Sequence, residues 1–317
     1  MERIKYLDPR ADLTFKRIFG EHADLAMSFL NAMLPFNDGD EIESIEFLPA
    51  ELVPETPLKK DTIVDVRCKD NRGRQFIVEM QMFWTETFMQ RVLFNASKAY
   101  VRQLDKAVHF NYLQPVYSLN LVNEIFEPDL KEFYHLYNIV NIEHTDKVIE
   151  GLHFVFVELP KFKPQNVLDK KMMVLWLRFL TEMGNCTSEV PEEFTTDPDI
   201  SKAVRLLRES SYSEAQLLGY EKFWDSVRVE YAIKYDSLKE GREQGFQQGL
   251  QQGLQQGIKQ GLQQGLQQGM NQGVEKGIEQ GREAKALEIA RNLKLLHIPT
   301  ADIAKATGLT ARDIEKL

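Results

Sequence analysis

Residues Asp61–Met82 constrain the fold more than any other stretch of this chain. They read Asp-Thr-Ile-Val-Asp-Val-Arg-Cys, then a polar Lys-Asp-Asn-Arg-Gly-Arg, then Gln-Phe-Ile-Val-Glu-Met-Gln-Met. Two β-branched runs around a polar segment holding Asn71 and Gly73 predict a β-hairpin. Side chains alternate between the faces of a strand, so Ile63, Asp65 and Arg67 share one face, opposite Val64, Val66 and Cys68. On the second strand Ile77, Glu79 and Gln81 oppose Phe76, Val78, Met80 and Met82. One face of the hairpin is therefore core, and Asp65 and Glu79 converge on the other, among apolar neighbours. Carboxylates held there repel one another and desolvate poorly unless a cation joins them, and a divalent ion meets that need most simply. The same spacing also fits an exposed hairpin face carrying ordinary solvated acids.

Flanking segments add weight to the first reading. They are Asp8-Pro-Arg-Ala-Asp-Leu-Thr-Phe-Lys-Arg-Ile-Phe-Gly, Ile63-Val-Asp-Val-Arg, Ile77-Val-Glu-Met-Gln, Gln90-Arg-Val-Leu-Phe-Asn-Ala-Ser-Lys-Ala-Tyr and Tyr112-Leu-Gln-Pro-Val-Tyr-Ser-Leu-Asn-Leu. Taken in order, they resemble the recombination-promoting nuclease family, also described as PD-(D/E)XK nuclease family transposases. The likeness covers most of residues 1–240. It implies an α/β (α+β) fold with a restriction-endonuclease-like mixed sheet and flanking helices. By the same resemblance Asp65 matches the first acid of the motif, Glu79 the second, and Gln81 the position usually held by lysine. The two carboxylates and the backbone carbonyl of Met80 then hold Mg²⁺, or another divalent cation such as Mn²⁺. Val64 stands where the motif has proline.

Gln81 donates a hydrogen bond but carries no charge, so the lysine's role is weakened or moved. A lysine at 81 should be tolerated, so Gln81→Lys is expected to retain or raise activity and Gln81→Ala to lower it. The helix expected over residues 85–104 offers replacement cations in Arg91 and Lys98, seven residues and two turns apart. Arg91 suits a phosphate clamp, although both residues also read as surface cations lying over apolar neighbours. The first helix, expected over Asp8–Gly20, holds Asp12 and Lys16 at i,i+4 spacing. Folds of this type often bring an acid from that helix to the metal, so Asp12 is a candidate outer ligand; a salt-bridged surface acid is the alternative. Arg3, Lys5, Arg10, Lys16 and Arg17 make this end basic, which suits phosphate contact.

Composition narrows the class without choosing it. A chain of 317 residues with 43% hydrophobic content can bury one good core plus appendages. A net charge of −9 argues against a surface that coats nucleic acid and leaves room for one local basic groove. Two separated cysteines, Cys68 and Cys186, indicate a reducing compartment. The six histidines show no zinc spacing. No apolar run of about 18 residues and no signal-like start are present, so the expectation is a soluble, cytoplasmic protein without a membrane partner.

Tyr112–Val122 and His153–Leu159 read as strands, Glu127–Leu136 as a short helix or loop, and Met172–Met183 as a buried helix. Another helix begins after Asp197. The expected organisation is a nuclease core at 1–160, a helical subdomain at 161–240, a repeat at 241–281 and a helix-turn-helix-like module at 282–317. In the repeat, glycine recurs every fourth residue from Gly241 to Gly281, eleven times, in units of Gly-apolar-Gln-Gln. If helical, each unit turns the glycine stripe by about 40°, a drift that favours a right-handed wrap between chains. Eleven glycines at about 1 kcal/mol each weigh against a lone helix. A homo-oligomerisation helix is therefore favoured over a flexible linker. In the last 36 residues, seven Lys/Arg face five Asp/Glu, a small surplus for a DNA reader. The function expected is a Mg²⁺-dependent DNA endonuclease linked to recombination or mobile elements. The alternative is a catalytically inactive nuclease-fold protein that assembles through its tail.

Overall fold

The computed structural model describes residues 4–52, 62–104, 109–164, 171–185 and 189–317. Asp61 and Cys186 lie outside them. Compact packing divides the chain into two units, Met1–Tyr231 and Ala232–Leu317.

From Val66 onward the hairpin forms as the alternation predicts, but Val64, expected on the face of Val66 and Cys68, packs with Ile77, Ala96 and Ala99 because the chain bends before Val66. Strands β4 (Val66–Asp70) and β5 (Gln75–Gln81) pair antiparallel with Val66 opposite Val78 and Arg67 opposite Ile77. The turn needs the positive φ of +82° at Gly73, a conformation that costs glycine nothing. The short strands β1 (Ile45–Phe47), β2 (Glu51–Leu52) and β3 (Thr62–Ile63) precede it, β1 pairing with β4 and β2 with β3. Three further strands follow: β6 (Val116–Val122), β7 (Tyr134–Val140) and β8 (Val148–Glu158). The main sheet is mixed, in the order β1-β4-β5-β6-β8-β7, with β5, β6 and β8 parallel and the pairs at both edges antiparallel. β7 covers the end of the segment expected as a helix or loop. At the sheet edge it mixes His135, Tyr137 and Asn138 with apolar residues, so it lacks the apolar run of a central strand.

One face of the sheet carries the large core. Helices α1 (Asp12–Phe19) and α2 (Ala23–Met33) lie there with α4 (Lys171–Glu182), α5 (Glu192–Thr196) and α6 (Pro198–Leu206). Val66, Cys68, Phe76, Val78, Leu119 and Leu121 meet Phe15, Phe29, Trp176, Phe179 and Ala203 in one cluster. The stretch expected as a helical subdomain at 161–240 thus supplies 13 of the 31 described buried residues of the same core, and the compact unit runs on to Tyr231. Asp197 caps α6 by accepting from the backbone N–H groups of Asp199 and Ile200, each at 3.1 Å. Trp176 is fully buried, with Phe19, Phe29 and Phe179 ring centroids 5.3–5.7 Å away. Trp176→Ala is expected to cost about 3–5 kcal/mol, lowering the melting temperature by roughly 6–20 °C. An unchanged melting temperature would show that this contact is not the centre of the core.

The opposite face of the sheet is not bare either. It is covered by α3 (Phe88–Val101) and is not open to solvent. Ile77, Val64, Leu52 and Val116 pack under Ala96 and Ala99, while Val122 and Phe156 pack under Phe88 and Val92. Both faces of β5 are therefore dry.

The Asp8-Pro-Arg segment ties distant parts of this unit together. Arg10 pairs with Asp8 at 2.7 Å and donates to Asn123 Oδ1 at 2.9 Å, just beyond β6. The Asp8 backbone N–H donates to the Tyr220 hydroxyl at 2.9 Å. A Cβ at position 184 would collide with the Asp8 carboxylate, so the approach requires Gly184.

Helix α7 (Glu214–Leu295) supplies the end of the first unit and most of the second, and the glycine repeat lies within it. The nine apolar slots from Phe246 to Ile278 are 53–72% exposed, and no atom lies within 4 Å of a Cβ built on any of the eleven glycines. Beyond the repeat, α8 (Thr300–Thr307) and α9 (Ala311–Glu315) pack Ile303 and Ile314 on Ala290. Thr310 caps α9, as its position suggests, by accepting from Asp313 N–H. Thr300 caps nothing; Pro299 holds the N-cap position and Thr300 is the first helical residue. No helix among the described residues is long and apolar enough to cross a membrane.

Candidate metal and phosphodiester site

The site lies where β4 begins and β5 ends. A strand presents the N–H and C=O of one residue to the same edge, and successive residues alternate. The Gln75 N–H and the Gln81 C=O both point toward β6, where they meet Pro115 and Asn123. Met80 therefore presents both groups to the β4 side. β4 ends before it can pair them, because the chain bends at Asp65. The Asp65 carboxylate takes over instead: Oδ2 accepts from Met80 N–H at 2.7 Å. Asp65 was expected within a continuous strand; it stands in this break, and its side chain does the work of a ladder carbonyl.

Glu79 points to the α3 face, as its parity requires, and is 5% exposed. The buried amide of Asn95 donates to Oε1 at 3.0 Å, and Arg91 Nη2 lies 3.5 Å from Oε2. Arg91 also donates to Gln81 Oε1 at 2.7 Å, while Gln81 Nε2 donates to the Phe83 carbonyl at 2.8 Å. The carboxamide is thus used at both ends, holding the guanidinium beside Glu79. On the other flank Lys16 binds Asp12 at 2.6 Å and reaches to 3.9 Å from Asp65 Oδ1. Lys98 donates to the Leu52 carbonyl and lies over the Phe94 ring at 5.6 Å.

Electrostatics mark the two acids as unusual. Burial pushes the Asp65 carboxyl up to about 6, against the lowering influence of the Met80 N–H and Lys16; the neighbouring Glu79 and Asp12 charges raise it further. Burial also raises Glu79, opposed by the Asn95 hydrogen bond and by Arg91. Burial disfavours the charged form of both, and a cation would relieve that. Among the described residues no three His, Cys, Asp or Glu side chains cluster as a metal set. Two carboxylates and the backbone carbonyl of Met80, which strand geometry turns toward Asp65, nevertheless make an all-oxygen donor set of the kind Mg²⁺ and Mn²⁺ take. These residues fit such an ion. Asp12 is engaged by Lys16.

Two residues of the site escape a reading of the sequence, Asn95 as the support of Glu79 and Lys16 as the neighbour of Asp65. Asn95 carries a usable signal, since a polar residue among Val92, Ala96 and Ala99 on the apolar stripe of a helix needs a buried partner. The Lys16–Asp65 approach spans 49 positions and leaves no local trace.

A mixed six-stranded sheet with helices on both faces and two acids at the broken junction of an antiparallel pair defines a restriction-endonuclease-like core. The chain belongs to the PD-(D/E)XK nuclease family transposases, whose family model matches residues 9–231. No curated protein and no solved structure matches the chain.

Proposed function

We propose that the protein is a divalent-metal-dependent DNA endonuclease of the cytoplasm, hydrolysing phosphodiester bonds in recombination or in the movement of mobile elements. The observation that carries this reading is a pair of desolvated carboxylates at a strand break, Glu79 near enough for its charge to act on Asp65. A scaffold with no chemistry has no use for two desolvated carboxylates there. Asp65, Glu79 and the Met80 carbonyl are the proposed ligands of Mg²⁺ or Mn²⁺. A bound ion supplies Lewis acidity at the phosphate and lowers the pKa of an attacking water.

The chain's own residues set the rest. Asp12, Asp65 and Glu79 against Lys16 and Arg91 leave one net negative charge, so a phosphodiester is repelled until a divalent cation makes the balance positive. Arg91 takes the place of the missing motif lysine, and Gln81 orients it. Its side chain is 45% exposed, open enough for the guanidinium to meet a phosphate oxygen. Asn95 fixes the rotamer of Glu79. Lys98 braces α3 against Leu52.

The expectation for Gln81→Lys consequently reverses, because Arg91 already fills the space a lysine would enter. Gln81→Lys places an ammonium against the guanidinium and is expected to lower plasmid nicking about 10-fold or more. The double variant Gln81→Lys with Arg91→Gln restores the usual motif and should recover much of that loss. A fully active single variant, or a double variant no better than the single, would remove Arg91 from the mechanism. For the repeat we propose self-association of two or more chains, which would bring two sites to one duplex.

A further inference from the structure

We propose that Lys16 is a second catalytic cation, reaching the reacting phosphate from α1, and that Asp12 is its positioning residue and not a metal ligand. The proposal rests on the nuclease reading above. Its basis is how Lys16 is held. A lysine serving only to neutralise Asp65 would close on it to about 2.8 Å. Lys16 instead takes its short contact from Asp12, at 2.6 Å, and stands 3.9 Å from Asp65 Oδ1. The i,i+4 pair fixes the ammonium along the helix, and α1 is anchored by the fully buried Phe15 and Ile18 on either side of it. Lys16 keeps 39% of its side chain exposed, so substrate can reach it.

An ammonium has three donors, and Asp12 occupies one. The remaining N–H groups are available to a phosphate oxygen or to the water beside Asp65. Lys16 approaches the acid pair from the helix on the large-core face, whereas Arg91 approaches from α3 on the opposite face. A phosphate at the strand break would therefore meet a cation on each side. This arrangement accounts for a motif that carries a neutral glutamine: the charge it lacks is divided between two helices.

The test uses the full-length protein and a short fluorescent DNA duplex. Three quantities are read for each variant: duplex affinity in chelator by anisotropy, Mg²⁺ affinity by calorimetry, and cleavage rate in saturating Mg²⁺. Lys16→Ala is expected to weaken duplex binding in chelator several-fold, to leave Mg²⁺ affinity within about 2-fold, and to slow cleavage about 100-fold. Lys16→Arg should recover most of the rate. Asp12→Asn, which keeps an acceptor for Lys16, should lose less than Asp12→Ala, with Mg²⁺ affinity unchanged in both. Cleavage at the wild-type rate by Lys16→Ala, with tighter Mg²⁺ binding, would overturn the proposal and make Lys16 a mere occupant of the cation's place. A drop in Mg²⁺ affinity in Asp12→Asn would return Asp12 to the ligand set and equally overturn it. If the wild type neither binds Mg²⁺ nor cleaves, the nuclease reading itself fails and the Lys16 proposal falls with it.

Discussion

Asp65→Asn is expected to raise the melting temperature of the metal-free protein at pH 7.5 while removing its metal response. The sign follows from the carboxyl's pKa, lifted by burial to about 6 from an ordinary 3.8. Between those values the folded chain binds more protons than the unfolded chain, so stability falls as pH rises through this window. The contribution is most favourable below about pH 4 and is lost above about pH 6. At pH 7.5 the ionised residue opposes folding. The side chain keeps 25% exposure, so the effect is held to about 1–2 kcal/mol. Asparagine retains an oxygen for the Met80 N–H and carries no charge, so it should melt about 3–6 °C higher. Its melting temperature should also change less between pH 5.5 and 7.5 than that of the wild type. Mg²⁺ should stabilise the wild type and leave the variant unmoved. A destabilised variant would mean that Asp65 serves the fold as an anion.

The largest change in solution behaviour is expected from the glycine repeat. Within a lone helix, replacing Gly249, Gly253, Gly257 and Gly261 by alanine adds helix propensity of about 1 kcal/mol at each position, and nothing stands in the way of the new methyl groups. Where two helices pack through those glycines, the same methyl groups hold the backbones apart. A second copy is the natural partner, because only an equally periodic surface stays in register with nine exposed apolar slots. From Gln244 to Val274 the segment carries a single charge, Lys259, so copies of an acidic chain do not repel one another there. Sedimentation of full-length protein should show an oligomer, and the four-alanine variant should fall to the mass of one chain. Removing 241–317 should likewise give a monomer that nicks plasmid but linearises it poorly. If wild type and variant sediment alike at the mass of one chain, the repeat does not join chains.

Legibility in the sequence followed the range of each interaction. The parity of Glu79 and Gln81, the turn at Gly73, the cap at Asp197 and the Asp12–Lys16 pair were readable because each is set within a few residues. The break at Asp65 was not, since Val-Asp-Val reads as strand and only the absent neighbour of Met80 ends the pairing. The dry second face was hidden for the same reason. Arg91, Phe94 and Lys98 give α3 a mixed surface, and its burial depends on Leu52 and Val64, contributed from across the sheet. Arg91 was one of two replacement cations the sequence offered. Its hold on Gln81, which turns the glutamine from a substitute into a support, appeared only when the two were brought together.

The central claim is that Asp65 and Glu79 form a metal-dependent phosphodiesterase centre, and cleavage of supercoiled plasmid tests it most directly. Wild type, Asp65→Asn and Glu79→Gln, each shown to be folded by melting, are incubated with plasmid in Mg²⁺ or Mn²⁺, with and without chelator. The account predicts nicked and linear product from the wild type, none with chelator, and rates at least about 100-fold lower from either variant. Intact plasmid from folded wild type in both metals, or cleavage by the variants at the wild-type rate, would contradict it and leave the chain a nuclease fold used as a scaffold.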